Sequence, residues 1–155
     1  MLTVVDGAHA VGQIPLDMAA INADFYTSNC HKWLCAPKGS AFLYAHPRAQ
    51  HLIEPLVVSW GWGPTRQYNF GSDFQDYLIW GGTADPSAYL TIPAAIAFQA
   101  DHNWAEVRQD CHALARHALE AVMDLTDERP LYHPTSDFYA QMANLPLPPS
   151  PTQPH

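Results

Sequence analysis

Charged side chains are scarce in this sequence. Only 14% of its 155 residues are Asp, Glu, Lys or Arg, whereas ordinary soluble domains contain about a quarter. The shortage predicts that much of the surface meets other protein. Basic residues are the scarcer sign, because the formal net charge is -8. This balance argues against nucleic acid or an anionic membrane as a partner.

Long apolar runs and cysteines are scarce as well. No apolar run approaches the roughly 18 residues of a membrane span, and no basic-then-apolar leader is visible at the start. Three cysteines, an odd number without regular spacing, argue against a disulfide framework and predict a reducing, cytoplasmic compartment.

Histidine is abundant, but its spacing does not predict a metal site. None of the nine histidines has another four residues away, the spacing of a helical zinc site. Cys30, His31 and Cys35 form one small cluster of possible ligands. Structural zinc needs four ligands, so we expect no metal there.

The apolar pattern predicts alternating strands and helices, and the length suits one domain with a real core. Pro93 should kink the second helix, and Asn103 with Glu106 should form a capping box on the third. The proline-rich residues 145–151 should be neither helix nor inner strand. The predicted strands are residues 2–5, 25–27, 40–45 and 138–143, and the predicted helices are residues 15–21, 86–98 and 104–122, with a helical turn in 48–53.

The feature around which the chain is organised is the turn of residues 28–39, here called the lysine turn. It joins two predicted strands and contains Lys32. Lysine is almost never fully buried without a partner, and an amine withdrawn from water can attack a carbonyl carbon. Lys32 is therefore either a nucleophile or an ordinary lysine in a turn.

Two further features suggest what Lys32 would serve. Asp6 ends the first strand, which we expect to be buried and parallel, at the sheet edge where open α/β sheets bind ligands. By itself Asp6 is equally suited to form a turn. Gly82 and Thr83 precede a helix N-terminus, a place that favours phosphate. An amine, a carboxylate and a phosphate site together are what pyridoxal phosphate requires.

At this point the sequence resembles a known family. Its segments are similar to the class V aminotransferase family of pyridoxal-phosphate enzymes, and within it to the isopenicillin N epimerase-like branch. The resemblance covers nearly the whole chain. The segments that carry it are residues 6–9, 24–33, 36–39, 60–62, 80–89 and 138–142.

The resemblance implies a role for each candidate site residue. Lys32 would form the Schiff base with the cofactor and later move protons at the substrate α-carbon. Asp6 would pair with the pyridine nitrogen, and His9 would approach the ring or its phenolic oxygen.

The phosphate side of the site is implied in the same way. His31 would contact the phosphate. Asn29 stands where relatives often have a small hydroxyl residue that touches it. Thr83 would reach the phosphate of the neighbouring subunit in a homodimer.

The resemblance also implies the fold, which is α/β. The chain would be the central part of the large domain of a fold type I enzyme, a mostly parallel sheet with helices on both faces. We expect residues 1–129 to be the second half of that domain and residues 130–155 to begin the small C-terminal domain. The N-terminal half and most of the small domain would be missing, so the chain would be an internal fragment.

Three functions remain open at this stage. The branch suggests epimerisation or transamination at the α-carbon of an amino acid. C–S lysis or desulfuration would begin with the same Schiff base, so fold analogy does not separate it from the first. The chain could instead be an inactive remnant or an interaction module, since exposed apolar sheet edges favour association.

Overall fold

The computed structural model describes residues 1–149. They fall into two compact units, residues 1–95 and the residues from Ile96 onward. Among the described residues, no helix is long and apolar enough to cross a membrane. The strands are β1 (Val4–Asp6), β2 (Phe25–Asn29) and β3 (Ala41–Ala45), and the helices are α1 (Met18–Ile21), α2 (Asp73–Leu78), α3 (Ser87–Leu90), α4 (Ile92–Asp101) and α5 (Trp104–Thr126), with a 3-10 turn at Gln50–Leu52.

The first unit is built on a mixed sheet with the strand order β1-β2-β3. β1 runs parallel to β2, with Asp6 opposite Thr27. β2 runs antiparallel to β3, with Asn29 opposite Ala41. The lysine turn therefore connects an antiparallel pair, while the segment containing α1 connects the parallel pair.

The expectation that β1 is buried is wrong. Val4 is 72% exposed, because β1 is the edge strand of this sheet. β2 shows the alternation of a half-buried strand, with Tyr26 and Ser28 buried and Thr27 exposed between them. The Tyr26 ring stacks on Phe42 of β3 at 6.3 Å between centroids.

The lysine turn rests on the apolar core of this unit. The core consists of buried side chains in the turn itself, with partly buried side chains from the neighbouring segments packed around them. The buried members are Cys30, Leu34 and Ala36, and the surrounding ones are Val11, Phe42, Ile92 and Ala95.

Helix α1 begins later than predicted. Pro15 precedes the helix, which starts at Met18 because Asp17 caps it. Asp17 Oδ1 accepts hydrogen bonds from the N–H groups of Ala19 and Ala20, as an N-cap carboxylate does.

The predicted effect of Pro93 is confirmed, and it interrupts the helix. α3 ends at Leu90 and α4 begins at Ile92, with Thr91 as the cap between them. Proline lacks an N–H and its ring clashes with the carbonyl four residues earlier, here that of Tyr89.

In the second unit, the prediction of a capping box at the start of α5 is wrong. Asn103 has a φ of 47°, in the left-handed region, and its side chain does not cap the helix. Its Nδ2 donates instead to Glu106 Oε2 at 2.8 Å. The predicted apolar face is only partly covered within this unit, since Leu119 is 2% exposed and Leu114 is 68% exposed.

The strand predicted at residues 138–143 is also wrong, because these residues form turns and bends. Tyr139 stacks on His112 of α5, and its hydroxyl donates to the Pro134 carbonyl. His112 Nδ1 donates to the Ala140 carbonyl at 2.7 Å. The backbone here is thus held by side chains of its own unit rather than by a neighbouring strand.

Candidate functional site

The candidate site forms where β1 and β2 end at the same edge of the sheet. Asp6 is the last residue of β1, and Asn29 is the last residue of β2. The loop after β1 is tied to β2 by two backbone hydrogen bonds, from Gly7 N–H to the Thr27 carbonyl at 2.8 Å and from Asn29 N–H to the Ala8 carbonyl at 3.4 Å. This pairing places Asp6 and Asn29 on neighbouring strand ends.

Ser28 holds that loop through hydrogen bonds of its side chain, a role that sequence reasoning missed. Its side chain is 1% exposed. The hydroxyl donates to the Gly7 carbonyl at 2.6 Å and accepts from Val11 N–H at 3.2 Å. A buried polar residue in the alternation of a strand must have hydrogen-bond partners, and this was the signal available in the sequence.

The lysine turn is closed by its own backbone. The Ser40 carbonyl accepts from the N–H groups of Cys30 and His31, and the Cys30 carbonyl accepts from Ala36 N–H. Gly12 packs directly against the turn, because a Cβ on Gly12 would collide with the carbonyl group of Trp33. The turn is therefore held both by its own backbone hydrogen bonds and by the packing of Gly12 against it.

Lys32 extends from this turn to His9. The distance from Lys32 Nζ to His9 Nε2 is 3.2 Å. The lysine is partly exposed, so the expected withdrawal of its amine from water is incomplete in this chain. Trp33, which the sequence interpretation did not single out, donates from Nε1 to His9 Nδ1 at 3.2 Å.

Asp6 is exposed, and the prediction of a buried carboxylate is wrong, because β1 is the outermost strand of the sheet. Its Oδ1 accepts from Ala8 N–H at 3.0 Å, so it forms the turn after β1. An exposed carboxylate at a strand end remains accessible to a ligand.

His31 and Thr83 do not join Lys32 in the same way. The Nδ1 of His31 lies 2.9 Å from the Ser40 carbonyl, which ties the ring to the start of β3. Thr83 is exposed on the loop before α3, and none of the described hydrogen bonds connects it to Lys32. The structure thus joins Lys32 to His9, with Asp6 and Asn29 at neighbouring strand ends.

Asp24 is a second residue that sequence reasoning missed. It lies just before β2, and its carboxylate accepts from Thr3 N–H at 2.8 Å and from Arg48 Nε at 2.7 Å. The hydrogen bond from Thr3 and then that from Arg48 lower the pKa of Asp24. Asp24 therefore connects β1 and the segment after β3 to the start of β2.

The two cysteines of the turn differ. Cys30 is buried, and burial raises the pKa of its thiol. Cys35 is exposed and has a φ of 65°. Across residues 1–149, no group of three or more His, Cys, Asp or Glu side chains has an arrangement that would hold a metal ion.

A second feature of the first unit is the aromatic segment, residues 60–80. Trp60 stacks on Trp80 at 6.0 Å, and both line an open cavity of about 270 Å³. Trp60 is 59% exposed, so it lines this cavity and does not plug the interior of the unit. The segment also contains α2. The other cavity residues are Tyr68, Phe70 and Ile79.

The donor set at the strand ends fits pyridoxal phosphate. Lys32 would offer an amine to the aldehyde, Asp6 a carboxylate to the pyridine nitrogen, and His9 a ring N–H to the phenolic oxygen. Asn29 supplies an amide that can meet the phosphate. All four come from the sheet edge where open α/β sheets bind ligands.

Comparison with known sequences gives the same family along almost the entire chain. The sequence model of the family described as "Aminotransferase class-V" matches residues 1–148. Isopenicillin N epimerase of Amycolatopsis lactamdurans is 35% identical over 156 residues, covering 96% of this chain and 39% of that protein. The L-cysteine desulfhydrase-like protein lolT2 of Epichloe uncinata is 33% identical, covering 65% of this chain and 25% of that protein.

Among solved structures, the chain is similar to the cystine C-S lyase C-DES in complex with cysteine persulfide. The TM-score is 0.62 at 23% identity, covering 88% of this chain and 35% of that chain. At this identity the likeness establishes the fold, which is that of the expected α/β large domain. The chain spans about two fifths of the length of the curated epimerase that it matches.

Proposed function

Because the chain belongs to the class-V aminotransferase family, we propose that it is the part of a pyridoxal-phosphate enzyme that carries the reactive lysine. The observation that carries this proposal is the position of Lys32. Its Nζ lies 3.2 Å from His9 Nε2, beside the strand end that bears Asp6. Lys32 is the amine that would hold the cofactor through its aldehyde group.

The remaining roles follow from the chemistry of the side chains. When bound, pyridoxal phosphate draws electrons from the α-carbon of an amino-acid substrate. Asp6 would hold the protonated pyridine nitrogen, and His9 would donate to the phenolic oxygen. Lys32 takes the proton from the α-carbon and returns it.

The phosphate is assigned to Asn29 and His31, and to Thr83 of the neighbouring subunit in a homodimer. His31 already uses Nδ1 for the Ser40 carbonyl, so it would meet the phosphate through Nε2. A cytoplasmic compartment is consistent with the free state of all three cysteines.

Epimerisation, or transamination, which begins with the same proton removal, is the first candidate reaction. It is supported by the similarity to isopenicillin N epimerase, which extends over 96% of this chain. Removal of the α-proton is the step that both reactions share, and Lys32 is the base for it.

C–S bond cleavage in a sulfur-containing amino acid is the second candidate. It is supported by the similarity to a desulfhydrase-like protein and by the fold shared with a C-S lyase. Cys30 is an unsuitable sulfur acceptor, since burial raises the pKa of its thiol. An inactive chain that associates with other protein is the alternative, supported by exposed apolar residues such as Val4 and Leu90.

The test uses the complete 155-residue chain with pyridoxal phosphate and borohydride. Lys32 and Lys38 are the only two lysines in the sequence, and Lys38 is exposed in the same turn. Borohydride traps the Schiff base irreversibly, so even weak binding accumulates as labelled protein. We expect peptide mass spectrometry to find the label on Lys32 in preference to Lys38.

The two lysines also provide matched variants. Lys32→Ala should lose the Schiff-base absorbance and the label, whereas Lys38→Ala should retain both. Equal labelling of both lysines, or none on Lys32 at saturating cofactor, would contradict the proposal and favour the inactive alternative.

A further inference from the structure

The imidazole of His9 has a defined partner on each nitrogen. Trp33 Nε1 lies 3.2 Å from Nδ1, and Lys32 Nζ lies 3.2 Å from Nε2. Both partners come from adjacent residues of the lysine turn. The turn therefore contacts both nitrogens of a ring that belongs to the loop after β1.

The partners determine where the proton of a neutral His9 resides. An indole N–H can donate a hydrogen bond but cannot accept one. Nδ1 must therefore be the unprotonated nitrogen, and the proton resides on Nε2, which faces Lys32. Only the free-amine form of Lys32 has a lone pair that can accept this N–H.

We propose that Trp33 is a positioning residue that holds His9 as the Nε2–H tautomer, so that His9 is a hydrogen-bond donor toward Lys32 and not a base. This inference deepens the proposed function, and any effect of Trp33 on catalysis rests on that function. The hydrogen bonds run from Trp33 through His9 to Lys32, and the indole of Trp33 cannot accept a proton. The lone pair of Lys32 is then the base of this group.

His31, the residue before Lys32 in the sequence, provides the opposite case. Its Nδ1 lies 2.9 Å from the Ser40 carbonyl, which can only accept. A neutral His31 is therefore the Nδ1–H tautomer. The two histidines are thus assigned opposite tautomers by their partners, so His31 is an internal control for His9.

The test is nuclear magnetic resonance of the complete chain with 15N-labelled histidine, without cofactor, at about pH 8, where an ordinary histidine is neutral. Long-range 1H–15N correlations distinguish a ring nitrogen that carries a proton from one that does not. We expect His9 to be protonated on Nε2 and His31 on Nδ1. The signals of His9 are identified by their loss in His9→Gln.

Trp33→Phe removes the indole N–H and keeps a flat ring. We expect the tautomer preference of His9 to weaken by about tenfold, the worth of one hydrogen bond, while His31 is unchanged. A 15N–15N coupling between Trp33 Nε1 and His9 Nδ1, in the unaltered chain labelled with 15N on tryptophan as well as histidine, tests the same contact if the variant does not fold. His9 protonated on Nδ1, an unchanged preference in Trp33→Phe, or absence of the coupling would overturn the proposal.

The outcome is separable from that of the proposed function. The tautomers are measured without cofactor, and borohydride labelling of Lys32 is measured with it. Labelling without the expected tautomer would overturn only the role of Trp33. The expected tautomer without labelling would overturn the proposed function and leave the assignment of His9 intact.

Discussion

The lysine turn with its sheet and the aromatic segment belong to the same unit but are held together differently. Around the sheet, side chains bind backbone far away in the sequence. The hydrogen bonds of Asp24 with Thr3 and of Ser28 with Gly7 each join residues 21 apart in the sequence. Asp24 and Ser28 are both buried. In such a network, one altered residue disturbs two segments.

The aromatic segment is held by local contacts. Arg66 pairs with Asp73, seven residues away, and Asp76 accepts from the N–H of Phe70, six residues away. Asp76 is fully buried, yet its partners lie within the same segment. The segment meets the 3-10 turn through α2. The difference suggests that the geometry around Lys32 is part of the global fold, whereas the aromatic segment can open by itself.

Gly12→Ala is expected to have the largest effect, since it strikes the contact between the loop after β1 and the lysine turn. Gly12 has a φ of 85°, and a Cβ there would collide with backbone atoms of Trp33 and Leu34. Backbone atoms cannot move aside without breaking the turn. We expect a loss of more than about 4 kcal/mol in the free energy of unfolding, measured by urea denaturation, in the range reserved for severe defects.

Gly39→Ala is the matched control in the same turn. Gly39 has a φ of 94°, but a Cβ there would meet open space. Only the left-handed backbone is then unfavourable, which costs about 1–2 kcal/mol. Equal effects of the two substitutions would show that backbone strain, and not the contact with the lysine turn, dominates.

The sequence was sufficient for the elements whose residues report directly on a local pattern. β2 and β3 were predicted to within two residues, because apolar runs bounded by turns identify buried strands. The effect of Pro93 was predictable for the same reason. Residues 138–143 have the composition of a strand, but a strand also needs a partner, and composition does not provide one.

The candidate site shows the same limit. Lys32 and Asp6 were identified as candidates from their positions after predicted strands and from the family resemblance, and His9 and Asn29 from the resemblance alone. Trp33 was missed because its role depends on a ring 24 residues away. No periodicity of the sequence reports a contact across that distance. The exposure of Asp6 was missed because a hydrophobic strand does not reveal whether it lies at a sheet edge.

Asp24→Asn is expected to have an intermediate effect and to depend on pH. The pKa of Asp24 is lowered in the folded chain, relative to an ordinary value of about 3.9. The ionised carboxylate therefore stabilises the fold above about pH 4, and this contribution is lost as the pH falls through the folded pKa. Unfolding in urea should show the variant less stable at neutral pH, with the difference shrinking in acid.

Asp85→Asn is the comparison for Asp24→Asn, because the partner of Asp85 is close in the sequence whereas those of Asp24 are distant. The pKa of Asp85 is lowered as well, by hydrogen bonds from Ser87 only two residues along. We expect a smaller loss of stability than for Asp24→Asn at neutral pH, because no distant segment is released. A loss as large as that of Asp24→Asn would remove the distinction between the two kinds of contact.

Gly61→Ala is expected to have the smallest effect on global unfolding, although its local clash is as severe as that at Gly12. A Cβ on Gly61 would collide with the carbonyl of Asp76, so the aromatic segment must open. We expect altered tryptophan fluorescence and faster proteolysis within residues 60–80, while far-UV circular dichroism shows global unfolding changed by less than about 1 kcal/mol. Gly63→Ala, at a φ of 81° in open space, should leave the segment closed. A global loss comparable to that of Gly12→Ala would mean that the aromatic segment and the sheet around Lys32 unfold as one.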